Sequence, residues 1–147
     1  TIVIDYGHNP AGYEQVFSWI KTLGSSIAHG AIGGPGDRMD QTIVKMGKIA
    51  ARFCDYLYIK EDEDLRGRQK GEVANLLLQG ALEEGLKNVQ FVMEYKEAEA
   101  LRIALAKSQP GDVVVVFYEK LEPILKCLAQ WPGEAIKKPL SKVAAVE

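Results

Sequence analysis

Pro110-Gly111-Asp112-Val113-Val114-Val115-Val116-Phe117 is the stretch that decides the fold. Its first three residues form a turn, led in by Ser108 and Gln109. The five that follow are apolar without a break. A strand with one wet face alternates apolar and polar side chains. An unbroken apolar run suits a strand covered on both faces, as in parallel sheets. Parallel strands are joined by crossovers, usually helices, so strands and helices should alternate on either side of this run.

They do. Toward the N-terminus the pattern predicts a helix over about Lys96 to Lys107 and a strand from Val89 to Met93. Before these comes a helix from about Gly71 through Val73, Leu76, Leu77 and Leu78 toward Glu84, then a strand over about Asp55 to Lys60. A further helix starts near Asp40 and presents Ile43, Met46, Ala50 and Phe53, and a strand covers roughly Ser26 to Ile32. The first helix has Asn9 as N-cap and Pro10 at its first position, both favoured there. Its apolar face is Tyr13, Val16, Phe17 and Ile20, and Gly24 ends it. The first strand is Ile2 to Asp5.

Toward the C-terminus an amphipathic helix carries Leu121, Ile124, Leu125 and Leu128 on one face. After Trp131-Pro132-Gly133 the pattern fades. Residues 1–131 read as one domain and 132–147 as a tail, partly disordered, with room for a short sixth strand. The expected architecture is α/β: a Rossmann-like, doubly wound, mostly parallel sheet of about five or six strands with helices on both faces. The pattern leaves strand order open.

Composition narrows the function. With 147 residues, 47% hydrophobic and 26% charged, the chain has an ordinary globular balance. A formal net charge of -2 argues against nonspecific nucleic-acid binding. No apolar run approaches the ~20 residues of a membrane helix. The chain opens on a strand with neither initiator Met nor signal peptide, which reads as an excised or processed domain of a cytoplasmic protein. Cys54 and Cys127 each fall in an apolar helical pattern and read as buried thiols of a reducing compartment. Two histidines without Cys-x-x-Cys offer no zinc spacing.

Three polar, glycine-bearing motifs each follow a strand. In an open α/β sheet the carboxyl ends of the strands form the ligand-binding crest, so the three should belong to one site. Asp5-Tyr6-Gly7-His8-Asn9-Pro10 offers a carboxylate for a ribose hydroxyl, and His8 and Asn9 for a base or phosphate edge. It reads equally as a capped turn. Gly33-Gly34-Pro35-Gly36-Asp37-Arg38 allows close backbone approach and offers Arg38 to a phosphate or carboxylate, or is simply a tight turn. It lacks the lysine and hydroxyl residue of a phosphate loop. Glu61-Asp62-Glu63-Asp64-Leu65-Arg66-Gly67-Arg68 is either a solvated loop with local ion pairs or a mixed-charge reader of a zwitterionic amino acid.

Together the three motifs resemble the C-terminal domain of the Mur ligase family, whose members join an amino acid to a carboxylate with ATP through an acyl phosphate. The first is similar to that family's Asp-Tyr-Ala-His-x-Pro, with Gly7 for Ala. The second resembles its Gly-Asp-Arg element, and the third stands where Asp-Asn-Pro-Arg reads the incoming amino acid. Asp5 to Tyr13, Pro35 to Arg38 and Lys60 to Glu72 look most like the cyanophycin synthetase branch, and the resemblance covers about Thr1 to Gln130. A diaminopimelate-adding member would carry Asn-Pro-Arg where this chain has Asp64-Leu65-Arg66, and basic residues where it has Met39-Asp40-Gln41-Thr42.

The resemblance implies roles. Asp5, His8 and Asn9 would bind the nucleotide. Arg38 would lie near the acyl phosphate or the incoming amino acid. Asp64 and Arg66 would recognise that amino acid, with Arg68 in support. The reaction would add arginine to an aspartate side-chain carboxylate. ATP and Mg2+ would be required, the metal held mainly by a central domain of the same polypeptide, so this domain alone would be inactive and hold no metal. Partners would be that central domain, an amino-acid or peptide-polymer substrate and, for the full protein, further copies of itself. The alternatives are a peptidoglycan ligase domain and a non-catalytic Rossmann-like binding module.

Overall fold

A computed structural model describes residues 1–92 and 95–132. The expected tail beyond Pro132 and the end of the fourth strand at Met93 fall outside the described residues. Ten elements alternate in order: β1 (Ile2–Asp5), α1 (Pro10–Lys21), β2 (Ala28–Ile32), α2 (Asp40–Phe53), β3 (Tyr56–Ile59), α3 (Glu72–Glu83), β4 (Val89–Phe91), α4 (Glu97–Lys107), β5 (Val113–Phe117) and α5 (Leu121–Gln130). The five strands form one sheet, ordered β1-β5-β2-β3-β4, and every pairing is parallel.

β5 behaves as its sequence demands: all five residues are buried. Val113, Val115 and Phe117 face a core built with α1, α2 and α3. Val114 and Val116 face a second core with α4 and Ile124 of α5. The sheet is therefore wound on both faces. The connection leaving β1 runs to the α1 face and the one leaving β5 runs to the α5 face. These neighbouring strands diverge at their carboxyl ends and leave a crevice between their loops.

Local chemistry sets the element ends. Asn9 is extended (φ -148°, ψ 165°), and its Oδ1 accepts the Gly12 N–H at 2.8 Å. α1 stops at Lys21, earlier than Gly24, which reverses the chain with φ 64°. α3 is capped from a distance: Glu61 accepts the N–H groups of Gly71 (2.8 Å) and Ala74 (2.9 Å). α2 and α3 pack backbone to backbone through two glycines. A Cβ on Gly47 would lie 2.2 Å from the Leu77 carbonyl oxygen, and one on Gly80 2.0 Å from that of Val44.

Two expectations need correction. The apolar face foreseen for α5 is only partly covered: Ile124 is buried, while Leu121 and Leu125 remain 42% and 50% exposed. Among the described helices α5 packs chiefly beside α4, so its buried seam narrows. Of the two cysteines, Cys54 is buried just past the end of α2, but Cys127 is only half-buried, its Sγ 3.7 Å from the Ala98 carbonyl oxygen. Both thiols are free.

A buried polar cluster lies at the amino end of the sheet. His29 on β2 is 2% exposed. Its Nδ1 is 3.1 Å from the Tyr58 hydroxyl and its Nε2 3.3 Å from Asp112 Oδ2. Its ring stacks on Tyr56 and Tyr58. Asp112 Oδ2 also accepts the Gln109 N–H at 2.8 Å.

Candidate functional site

The three motif loops meet at the carboxyl end of the sheet, in the crevice opened by β1 and β5. They enclose a pocket of about 130 Å³ together with Phe117, Tyr118 and Glu119 at the end of β5. The β1 loop contributes Tyr6, Gly7 and His8; the β2 loop Gly33, Gly34, Pro35 and Arg38; the β3 loop Lys60, Asp62 and Arg66. Complete small-molecule pockets span about 300–1,000 Å³, so this one has the size of part of a site.

The β1 loop is shaped by its own polar groups. Asp5 Oδ1 accepts the Gly7 N–H at 2.6 Å, which folds the carboxylate back on the turn. Its other oxygen has no hydrogen-bond partner among the described residues. Asn9 is engaged as the α1 cap. His8 is the member of this trio that lines the pocket, exposed, with Nδ1 3.3 Å from the Tyr6 carbonyl oxygen. Tyr6 lies against both His8 and Tyr118, with ring centroids 5.2 and 5.5 Å apart, and forms an aromatic rim.

Arg38 and Arg66 both reach the pocket, Asp64 and Arg68 do not. Arg38 Nε is buried and has no hydrogen-bond partner among the described residues. Such an atom is costly unless something completes it. Arg66 adopts φ 48°, a left-handed conformation that non-glycine residues rarely take. Asp64 explains how it holds: its Oδ1 accepts the Arg66 N–H at 3.0 Å. The Arg66 guanidinium then reaches Asp37 of the β2 loop at 2.9 Å. Arg68 fastens the two loops together, donating to the carbonyl oxygens of Gly36 and Arg38 and to the carboxylates of Asp40 and Glu72.

Lys60 and Glu97 were not singled out from the sequence. Lys60 is 1% exposed, and its Nζ donates to Glu97 Oε2 at 2.6 Å and to Asp62 Oδ1 at 3.4 Å. Glu97 also accepts the N–H groups of Glu119 (2.7 Å) and Lys120 (3.3 Å). One buried pair thus ties the β3 loop, the start of α4 and the β5 loop together. The available signal was a lysine placed directly after the buried run Tyr58-Ile59.

With Arg38 and Arg66 on its wall, and close-packed Gly33 and Gly34 beside them, the pocket fits an anionic group such as a phosphate or carboxylate. Asp62 and Glu119 add negative charge to the same wall. Among the described residues no group of three or more His, Cys, Asp or Glu side chains is placed to hold a metal ion, and no helix is long and apolar enough to cross a membrane.

The chain is similar to known proteins. The chain is 43% identical over 119 residues, 81% of its length, to a cyanophycin synthetase of Crocosphaera subtropica, and covers 13% of that protein. It is 39% identical over 131 residues, 89% of its length, to a cyanophycin synthetase of Geminocystis herdmanii, and covers 15% of it. The chain therefore spans about one seventh of these relatives. A solved UDP-N-acetylmuramoyl-L-alanyl-D-glutamate--2,6-diaminopimelate ligase shares the fold, with a TM-score of 0.71 at 18% identity over 87% of this chain and 29% of that one. The model of the Mur ligase glutamate ligase domain matches residues 1–117, from the first residue through the end of β5. Since that span holds all five strands and the three loops that build the pocket, the chain belongs to the Mur ligase family, as its glutamate ligase domain.

Proposed function

We propose that this domain is the closing lobe of an ATP-dependent ligase of the cyanophycin synthetase type, which forms an amide between arginine and an aspartate side-chain carboxylate. The observation that carries this reading is the convergence of Arg38, Lys60 and Arg66 with Asp62 and Glu119 on one wall. Cations and anions side by side suit a zwitterion whose carboxylate and cationic side chain must both be held.

ATP with Mg2+ supplies the phosphoryl group that activates the acceptor carboxylate, the metal being held by the central domain of the full polypeptide. Here His8 lines the nucleotide, and the second Asp5 oxygen takes a ribose hydroxyl. Asn9 keeps the loop in register by capping α1. Arg38, through its unpartnered Nε, takes an oxygen of the activated carboxyl group or of the incoming amino acid. Arg66 exchanges Asp37 for the α-carboxylate of that amino acid and aims its amine at the acceptor. Asp64 holds the Arg66 backbone, and Arg68 keeps the two loops at fixed separation. A pocket this small becomes a complete, dry site only when the lobe meets the domain facing it, as mobile lids generally do. The domain alone is therefore inactive. The full protein is a cytoplasmic enzyme that works as a homo-oligomer.

The test uses the longest natural polypeptide that contains this chain. ADP release is followed with an aspartate primer and arginine, and with a muramyl peptide and diaminopimelate, in the parent and in Arg66→Ala. Arginine-dependent turnover that falls about 100-fold in the variant is expected. Dependence on diaminopimelate moves the protein to peptidoglycan synthesis. Arginine turnover unchanged in Arg66→Ala removes Arg66 from the site.

A further inference from the structure

We propose that Asp62 is the residue that selects a positively charged side chain on the incoming amino acid, held in place by the buried Lys60–Glu97 pair. The inference rests on the ligase reading above and adds the residue that reads the side chain.

The first argument is position. A second cavity, of about 360 Å³, adjoins the crest pocket. Asp62 and Glu119 line both and form the wall between them. Beyond that wall the cavity is lined by Leu65, Tyr95, Ala98 and Pro123 among charged groups of both signs, Lys70, Lys96 and Lys120 with Glu61, Glu63 and Glu97. A basic amino acid has the matching form: a carboxylate, a stem of methylenes and a charged head. With its carboxylate at Arg38 and Arg66, its charged head reaches Asp62 at the wall between the two cavities.

The second argument is elimination among the acids of the crest. Glu61 holds the α3 amides. Glu63 pairs with Lys120, Asp64 with the Arg66 amide and Asp37 with the Arg66 guanidinium. Glu119 accepts the Glu63 N–H at 2.8 Å and the Asp64 N–H at 3.4 Å. Asp62, its side chain only 12% exposed, has among the described residues one long hydrogen bond, to Lys60 at 3.4 Å.

The third argument is charge. Lys60, Glu97 and Asp62 sum to one unbalanced negative charge in a largely buried setting. Lys60 sits closer to Glu97 at 2.6 Å, which leaves Asp62 as the under-compensated member. Burial pushes its carboxyl above the ordinary aspartate value. An arriving guanidinium or ammonium restores the balance, while a neutral side chain of the same shape does not. A site built to bind a charged partner rejects the neutral analogue strongly, because its own buried group is left unpaired.

The experiment measures ADP release by the longest natural polypeptide with an aspartate primer. Arginine is compared with citrulline, which carries an uncharged urea in place of the guanidinium. In Asp62→Asn the KM for arginine should rise about tenfold to 100-fold with kcat little changed, and the preference for arginine over citrulline should collapse. Asp62→Glu should keep the preference, and a Tm no lower than the parent's shows that neither variant is misfolded. A parent that uses arginine while Asp62→Asn keeps its KM and its preference overturns the Asp62 assignment alone. A parent without arginine-dependent turnover overturns the ligase reading, and the Asp62 assignment with it.

Discussion

At the amino end of the sheet His29 sits between Tyr58 and Asp112; at the carboxyl end Lys60 sits between Glu97 and Asp62. Both are buried polar clusters built from β2 or β3 and a later segment. The first is closed. Each ring nitrogen has a partner, tyrosine rings stack on the imidazole, and a backbone amide completes Asp112. The second is open: among the described residues Asp62 has one long hydrogen bond and faces two cavities, and Arg38 Nε nearby has no partner. A satisfied network rigidifies a fold, whereas an incomplete one marks where something else must arrive. The crest gives up stability for binding, and the amino end does not.

That contrast can be broken by separating stability from turnover. Arg38→Ala should lower kcat/KM of the full-length ligase about 100-fold with little change in Tm, because its side chain lines the pocket and its Nε has no hydrogen-bond partner among the described residues. A large fall in Tm would make Arg38 structural. His29→Ala should do the reverse. It opens a cavity and strips Tyr58 and Asp112 of a partner, costing about 2–4 kcal/mol. Thermal denaturation should register a fall of roughly 5–10 °C, with turnover below the transition unchanged.

The two aspartates sharpen the comparison through pH. The Gln109 amide, and His29 after it, hold Asp112 below its ordinary value of 3.8. Its stabilisation is present above 3.8 and is lost as pH falls through the lowered value. Asp112→Asn should therefore lose Tm at neutral pH, with the gap closing in acid. Asp62 has the opposite sign: burial raises it above 3.8, so stability falls as pH rises through the raised value. Asp62→Asn should raise Tm at neutral pH by about 1–3 °C, the gap vanishing below 3.8. A lower Tm in Asp62→Asn at neutral pH would mean that Asp62 supports the fold.

The parts legible in the sequence were those with short-range causes. Val113 to Phe117 announced a doubly covered strand because five apolar side chains in succession have no wet face to fill. Asn9-Pro10 announced the start of α1 because cap and first turn are neighbours. The three crest loops were visible as polar breaks after apolar runs. The Lys60–Glu97 pair was not, since its members stand 37 residues apart and meet only when α4 packs under β3. Nor was the work of Glu61, which the sequence left in either a solvated loop or a mixed-charge reader and which folding sets against the start of α3.

By itself, then, the sequence determined the element types, the parallel sheet and the three loops that belong on its crest. Each of these follows from periodicity and turn chemistry within a few residues. The tertiary structure decided that β5 enters between β1 and β2, because a local apolar run marks a strand as covered on both faces without naming its neighbours. It also decided which charges are engaged and which are left open. A carboxylate in a loop has the same sequence whether it caps a helix, pairs with a lysine or faces an empty cavity, and only the groups that folding brings beside it set its role.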